Sequence, residues 1–167
     1  MVEVVSYDAE WPAAFAREVA RIAPAFGEGL VAIHHIGSTS VPGLAAKPIL
    51  DMLPEVTDIA VADAAAERLE VLGYEGLGAY GIPGRRYFRR TVAGRRTHHM
   101  HAFATGSDGL KRHLALRDYL RAHPDEAAAY GALKLRLASE VPDMEAFMDG
   151  KDAFVTALEA RALAWLG

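Results

Sequence analysis

The stretch from Leu30 to Val56 constrains this chain more than any other. LVAIHHI (Leu30 to Ile36) is a short apolar run with the length of a buried strand, and Gly37-Ser38 follows it directly. KPILDMLPEV (Lys47 to Val56) reads as a second strand, with Pro48 tolerated at its entrance. Between them, Ser38, Thr39 and Ser40 are good caps for a short helix in the stretch to Leu44. Such a turn aims backbone N–H groups outward, and its helix dipole favours negative charge. Gly37 lets a phosphate approach without a side-chain clash. Twelve residues separate Ser38 from Asp51, enough for a short helix and its return, which brings the carboxylate beside the turn. A carboxylate there can hold a divalent metal that bridges phosphate oxygens, as phosphoryl and nucleotidyl transfer require. Taken alone, the GSTS turn reads more readily as a merely structural turn.

The rest of the pattern surrounds this unit with helices and further strands. A helix starts near Asp8 and buries Trp11, Phe15, Val19, Ile22 and Phe26 before Gly27 and Gly29 end it. Asp58 caps a helix that runs to about Leu72, stopped by Gly73. Strands are expected around Tyr74 to Ala79, Arg86 to Val92 and Thr97 to Phe103, with Ala93-Gly94 as a hairpin turn. Helices then fill Asp108 to His123, Asp125 to Glu140 and Met144 to Leu166, punctuated by Pro124 and Pro142. Phe147, Phe154, Leu158 and Trp165 are core positions of the last. This order specifies an α/β (α+β) fold, a mixed β-sheet with flanking helices and a helical C-terminal part, in one domain over residues 1–167.

Composition excludes several chemistries. There is no cysteine, so disulfides, thiol nucleophiles and cysteine-ligated metals are absent. The N-terminal MVEVVSYDAEW lacks a basic region leading into an apolar run, and no stretch approaches the roughly 20 apolar residues of a membrane span. A cytoplasmic protein without membrane contact is expected. Net charge is -4, yet ten of the 18 Lys and Arg fall between Gly81 and Arg121 beside two of the 22 acids. A basic third in an acidic chain points to a local anionic ligand rather than general nucleic-acid affinity. The alternative is a hairpin whose arginines pair with acids elsewhere. On the helix from Asp108, His113 and Arg117 fall among Leu110, Leu114 and Leu120, the face expected to be buried. A guanidinium there must meet a fixed acid or a bound anion.

IHHIGSTSVPGLAAKPILD (Ile33 to Asp51) closely resembles the signature of the GrpB family, whose members look like divergent nucleotidyltransferase-fold proteins. The resemblance continues through THHMHAF (Thr97 to Phe103), RHLALRDYLRAHP (Arg112 to Pro124), Tyr130 to Lys134 and Gly150-Lys151. In some relatives a similar domain is fused to dephospho-CoA kinase, which suggests nucleotide or coenzyme A metabolism. Two departures stand out. Nucleotidyltransferases commonly carry a second carboxylate two residues after the first, where this chain has Leu53, and Glu55 on the same face lies about 13 Å from Asp51. Family members often carry Glu where this chain has His34. The superfamily resemblance implies a further ligand from a later strand, and here His99 and His101 share one face, so that Asp51, His99 and His101 could form a metal site. Such a donor set suits manganese, iron or zinc better than magnesium. Histidines that bind phosphate or simply lie hydrogen-bonded in the sheet are the alternatives.

These features imply a metal-assisted nucleotidyl or phosphoryl transferase acting on a small phosphorylated substrate, with magnesium or manganese as cofactor. Gly37, Ser38 and Thr39 would cradle phosphates, Asp51 would hold the metal, and Arg117, His113 and Lys47 would neutralise charge, with Lys134 and Lys151 as further basic contributors. A non-catalytic nucleotide- or phosphate-binding module is the competing reading, supported by Leu53. A histidine-based metal phosphohydrolase is a third.

Overall fold

The computed structural model describes residues 2–167, and its contacts divide into two compact units, each with its own core. One spans Glu10–Ile36 and Ile49–Lys111 and holds the whole sheet. The other gathers the chain up to Ala9, Gly37–Pro48 and Arg112–Gly167 and is chiefly helical.

In the sheet unit, helix α1 (Trp11–Phe26) opens with a proline in its first turn and ends where Gly27 turns to φ +68°. Strand β1 (Leu30–Ile36) runs antiparallel to β2 (Leu50–Val56). Helix α2 (Ile59–Val71) starts at Asp58, whose carboxylate accepts from the Ala60 N–H at 2.8 Å. Strands β3 (Tyr74–Gly76), β4 (Arg86–Val92) and β5 (Arg95–Ala104) complete a five-stranded sheet of order β1-β2-β5-β4-β3. Only β2 and β5 pair in parallel. Ala93 and Gly94 take φ of +52° and +79°, the left-handed pair that a two-residue hairpin turn requires.

Met52, Val56, Phe88, Met100 and Ala102 pack against Ile22 and Phe26 of α1 and Ala62, Ala65 and Leu69 of α2. Fully burying each large side chain stabilises by about 1.5–3 kcal/mol, so this layer holds α1 and α2 on one face of the sheet. The pleat then sends Asp51, Leu53, Glu55, His99 and His101 to the opposite face.

Three local expectations change. β2 begins at Leu50 rather than Lys47, because Ala46 instead bridges Val5 and Pro48 has no N–H for a ladder. β3 stops at Gly76, since the chain turns through Gly78, Gly81 and Gly84, all at positive φ, before β4. The residues after Gly37 form a single 3-10 turn, Ser38–Ser40, not a longer helix, with the Ser40 and Val41 N–H groups bonded to the Gly37 and Ser38 carbonyls. No helix dipole therefore contributes there.

In the helical unit, α3 (Asp108–Ala122), α4 (Pro124–Glu140) and α5 (Met144–Leu166) surround Val41, Leu44, Ala115, Leu120, Tyr130 and Leu158. Asp143 caps α5 by accepting from the Ala146 N–H at 2.9 Å. No helix among the described residues is long and apolar enough to cross a membrane.

The first turn of α3 lies directly on the Phe103 ring, where a Cβ at Gly109 would collide with three ring carbons. Alanine normally favours a helix interior over glycine by about 0.5–1 kcal/mol, but overpacking costs about 1–3 kcal/mol. Gly109→Ala is therefore expected to lower stability by about 1–2 kcal/mol in urea or thermal melts. An unchanged or raised midpoint would mean that α3 does not pack on Phe103.

Candidate functional site

Register assembles the site. β2 and β5 pair with Asp51 opposite His99, and β4 and β5 pair with Tyr87 opposite His101. Three strands thus put a carboxylate, two imidazoles and a phenol ring on one face. Asp51 Oδ1 lies 3.3 Å from His99 Nδ1 and 3.5 Å from His101 Nε2. The three residues each offer a ligand atom within 4.8 Å of the others.

Asp51 is surrounded, although 28% of its side chain stays exposed. Burial alone would raise its pKa, but hydrogen bonds from His101 and His99 and their charges outweigh that and hold the carboxyl well below the usual carboxylate range. An ionised carboxylate only accepts, so without a metal the facing nitrogens carry the protons. The Arg85 guanidinium stands 3.4 Å from His101 Nδ1. His99 Nε2 is buried with no partner among the described residues.

These separations exceed the 2.7–3.2 Å of good N–H···O bonds. They match the edge of about 3.4 Å between ligands held at about 2.1 Å in a tetrahedral metal shell. Two imidazoles and one carboxylate are a donor set for manganese, iron or zinc, and a poor one for magnesium, which prefers oxygen. A carboxylate-bound metal pair does not fit. Leu53 is fully buried, and Glu55 accepts from His34 Nε2 and from the Thr105 hydroxyl, each at 2.8 Å. His34 thus has a role the sequence did not reveal: it engages the only other carboxylate of β2.

Arg85 and Tyr87 also escaped the sequence reading, though Tyr87 stands in phase with Arg89 on β4 and Arg85 immediately precedes that strand. The Arg85 guanidinium is buried 4.9 Å over the Tyr87 ring and donates to the Ala79 and Tyr80 carbonyls. Other arginines of the basic third pair with acids: Arg86 with Asp63, Arg89 with Glu75 and Arg90 with Glu18. His98 lies on the α1 face, its Nε2 3.2 Å from Glu18, and burial lowers its pKa below the ordinary value.

The remaining predicted residues lie in the helical unit. Gly37 takes φ +71°, and the Ser38 hydroxyl accepts from Lys134 Nζ at 2.6 Å. Lys134 is buried, its ammonium 4.5 Å over the Tyr130 ring, and Lys151 Nζ lies 3.5 Å from the Tyr130 hydroxyl. Thr39 is buried. Arg117 meets a fixed acid, Asp118, at 2.9 Å, and His113 is partly buried on the same helix. Lys47 Nζ lies 3.6 Å from Met144 Sδ and 5.5 Å from the Phe147 ring.

Residues 1–161 match the GrpB protein family. The chain belongs to the GrpB family. The UPF0157 protein YqkA of Bacillus subtilis is 44% identical over 98% of the chain, which spans 48% of that relative's length. The crystal structure of conserved protein GrpB from Enterococcus faecalis superposes with a TM-score of 0.93 at 40% identity, covering 98% of this chain and 99% of that one. A Cid1 poly(U) polymerase crystal structure with bound MgGTP matches 78% of this chain and 42% of its own at a TM-score of 0.51 and 15% identity, a likeness of fold. A dephospho-CoA kinase of Mycolicibacterium paratuberculosis is 29% identical over 98% of this chain and 46% of its own length. This GrpB domain therefore has a nucleotidyltransferase-like fold with a five-stranded mixed sheet.

Glu55 gives the site a pH signature. Hydrogen bonds from His34 and then Thr105 outweigh partial burial and hold its carboxyl below the ordinary 4.5. A lowered folded pKa contributes stability that is complete above the unfolded value and lost as pH falls through the folded one. Glu55→Gln should cost about 1–2 kcal/mol at pH 6, and the gap to wild type should close as pH falls below about 4.5. Urea titrations across that range read it, and a gap independent of pH would refute the assignment.

Proposed function

We propose that this GrpB domain binds a nucleotide or related small phosphorylated ligand and carries out metal-assisted nucleotidyl or phosphoryl transfer with a single divalent ion. The observation that carries this reading is the approach of one Asp51 oxygen to imidazole nitrogens from two positions of β5, on a nucleotidyltransferase-like sheet. Asp51, His99 and His101 would hold the ion, which supplies Lewis-acid stabilisation of phosphate charge when bound. The carboxylate's depressed pKa keeps it ionised, and thus ready to ligate, throughout the neutral range. In the helical unit, Gly37, Ser38 and Thr39 are assigned to phosphate contact, with Lys134 supplying an ammonium at the Ser38 hydroxyl. His113, Arg117 and Lys47 are assigned to charge neutralisation, Arg117 exchanging or sharing Asp118 for the ligand.

A specific observation favours a second reading, a binding module without turnover. The position for a second carboxylate is the fully buried Leu53, and Glu55 is occupied by His34 and Thr105. The likeness to dephospho-CoA kinase makes coenzyme A and its precursors the ligands to set beside nucleoside triphosphates.

A thermal-shift panel of these ligands with manganese, zinc or magnesium, on wild type and Asp51→Asn, tests both. A ligand at 100 times its dissociation constant adds about 2.7 kcal/mol, a shift of several degrees for a chain of this size. The expected result is a nucleotide shift that needs manganese or zinc and disappears in Asp51→Asn. Pyrophosphate or phosphate release under the same conditions would establish transfer, and a shift without release the binding module. Full turnover by Asp51→Asn would overturn the mechanism.

A further inference from the structure

We infer that Tyr80 is the platform on which the base of a bound nucleotide stacks, an assignment that rests on the nucleotide reading above. Tyr80 sits in the glycine-rich loop between β3 and β4 with 56% of its surface exposed. Among the described residues only Tyr80 and Ala93 are non-glycine with positive φ. The hairpin turn explains Ala93. Tyr80 likewise opens a left-handed pair with Gly81 at φ +87°, in a turn from Ala79 to Ile82, and its φ of +47° costs about 1–2 kcal/mol that a glycine there would avoid.

The loop is built to hold that ring. Arg85 donates to the Tyr80 carbonyl at 2.8 Å and to the Ala79 carbonyl at 3.2 Å, and the Ile82 N–H closes a turn onto the Ala79 carbonyl at 3.1 Å. The Tyr80 ring stacks on Tyr87 with centroids 5.3 Å apart and 21° between planes, and the Arg89 guanidinium lies 5.9 Å from its centroid. Stacking on Tyr87 uses one face of the ring, and the exposure of Tyr80 leaves aromatic surface open to a ligand.

Position ties this surface to the Asp51 group. The Tyr87 ring contacts Tyr80 at 5.3 Å and His101 at 5.3 Å, and Arg85 reaches from the Tyr80 carbonyl to His101 Nδ1. Two ring-to-ring steps thus separate Tyr80 from the imidazoles, a span that one nucleotide bridges from base to phosphate. Every base has a π face, so such a platform favours nucleotides over bare phosphates without choosing among bases.

The test is isothermal titration of wild type, Tyr80→Ala, Tyr80→Leu and Tyr80→Trp with ATP, UTP and inorganic tripolyphosphate at fixed manganese. Loss of stacking should weaken both nucleotides by about five- to hundredfold in Tyr80→Ala and Tyr80→Leu, and leave tripolyphosphate unchanged. Tyr80→Trp should retain nucleotide affinity. Equal losses for all three ligands would mean that Tyr80 only shapes the loop, and undiminished nucleotide binding would mean that the base lies elsewhere; either overturns the inference. Wild type that binds tripolyphosphate as tightly as ATP also overturns it while the phosphate reading stands. Wild type that binds none of the three sinks both.

Discussion

The parallel pairing of β2 with β5 is the constraint on which the rest depends. It sets Asp51 against His99 and, in the same register, Met52 against Met100 on the other face. Both methionines are fully buried in the α1–α2 core. Because side chains alternate with a period of two, a one-residue slip would send Asp51 into apolar packing and Met52 into solvent. The cost of burying an unpaired carboxylate and exposing a methionine far exceeds that of any single polar contact in the site. Core packing thus fixes the chemistry to within a fraction of a residue.

On that frame the polar residues divide by what already satisfies them. Arg86, Arg89 and Arg90 spend their charge on Asp63, Glu75 and Glu18, and Arg85 on backbone carbonyls and His101. Part of the basic hairpin is therefore an internal pairing device. Glu55 is similarly engaged by His34 and Thr105. Asp51 and His99 differ. Asp51 faces its partners at distances too long for strong hydrogen bonds, and His99 Nε2 is buried without one. His99 Nε2 shares that state with the Tyr74 hydroxyl in the α1–α2 core, and a buried polar atom left unmatched costs free energy that a ligand can return.

Much of this was legible in the sequence where local chemistry decides. The seven residues of β1, the Ala93-Gly94 turn, the Asp58 cap and the span of α5 follow from pattern, turn preference and capping, each settled within a few residues. Asp51, His99 and His101 were legible as one group because period two fixes the face and the strand resemblance supplied the pairing. The GSTS segment misled, since capping preference speaks for a helix start but not for its length, and only one 3-10 turn follows. Arg117 was read correctly as needing a partner, but the choice between Asp118 and a ligand is a matter of tertiary placement. The Lys134–Ser38 contact joins residues far apart in sequence, and the approach of Arg85 and Tyr87 to His101 depends on strand pairing, for which no local signal exists.

On the proposed reading, a ligand set of one carboxylate and two imidazoles would differ from an oxygen-only set in more than metal preference. Magnesium in a nucleotidyl-transfer site holds phosphate oxygens with carboxylates that carry most of the countercharge. Neutral imidazoles contribute none, so a divalent ion held by Asp51, His99 and His101 keeps a formal charge of about +1 after ligation, more than two carboxylates would leave. On that reading, a single ion of that kind would attract phosphate more strongly and stabilise its charge without a second metal. Leu53 then ceases to be a defect to be compensated. It is a fully buried apolar neighbour on the strand of Asp51 that would lower the local dielectric around a bound ion.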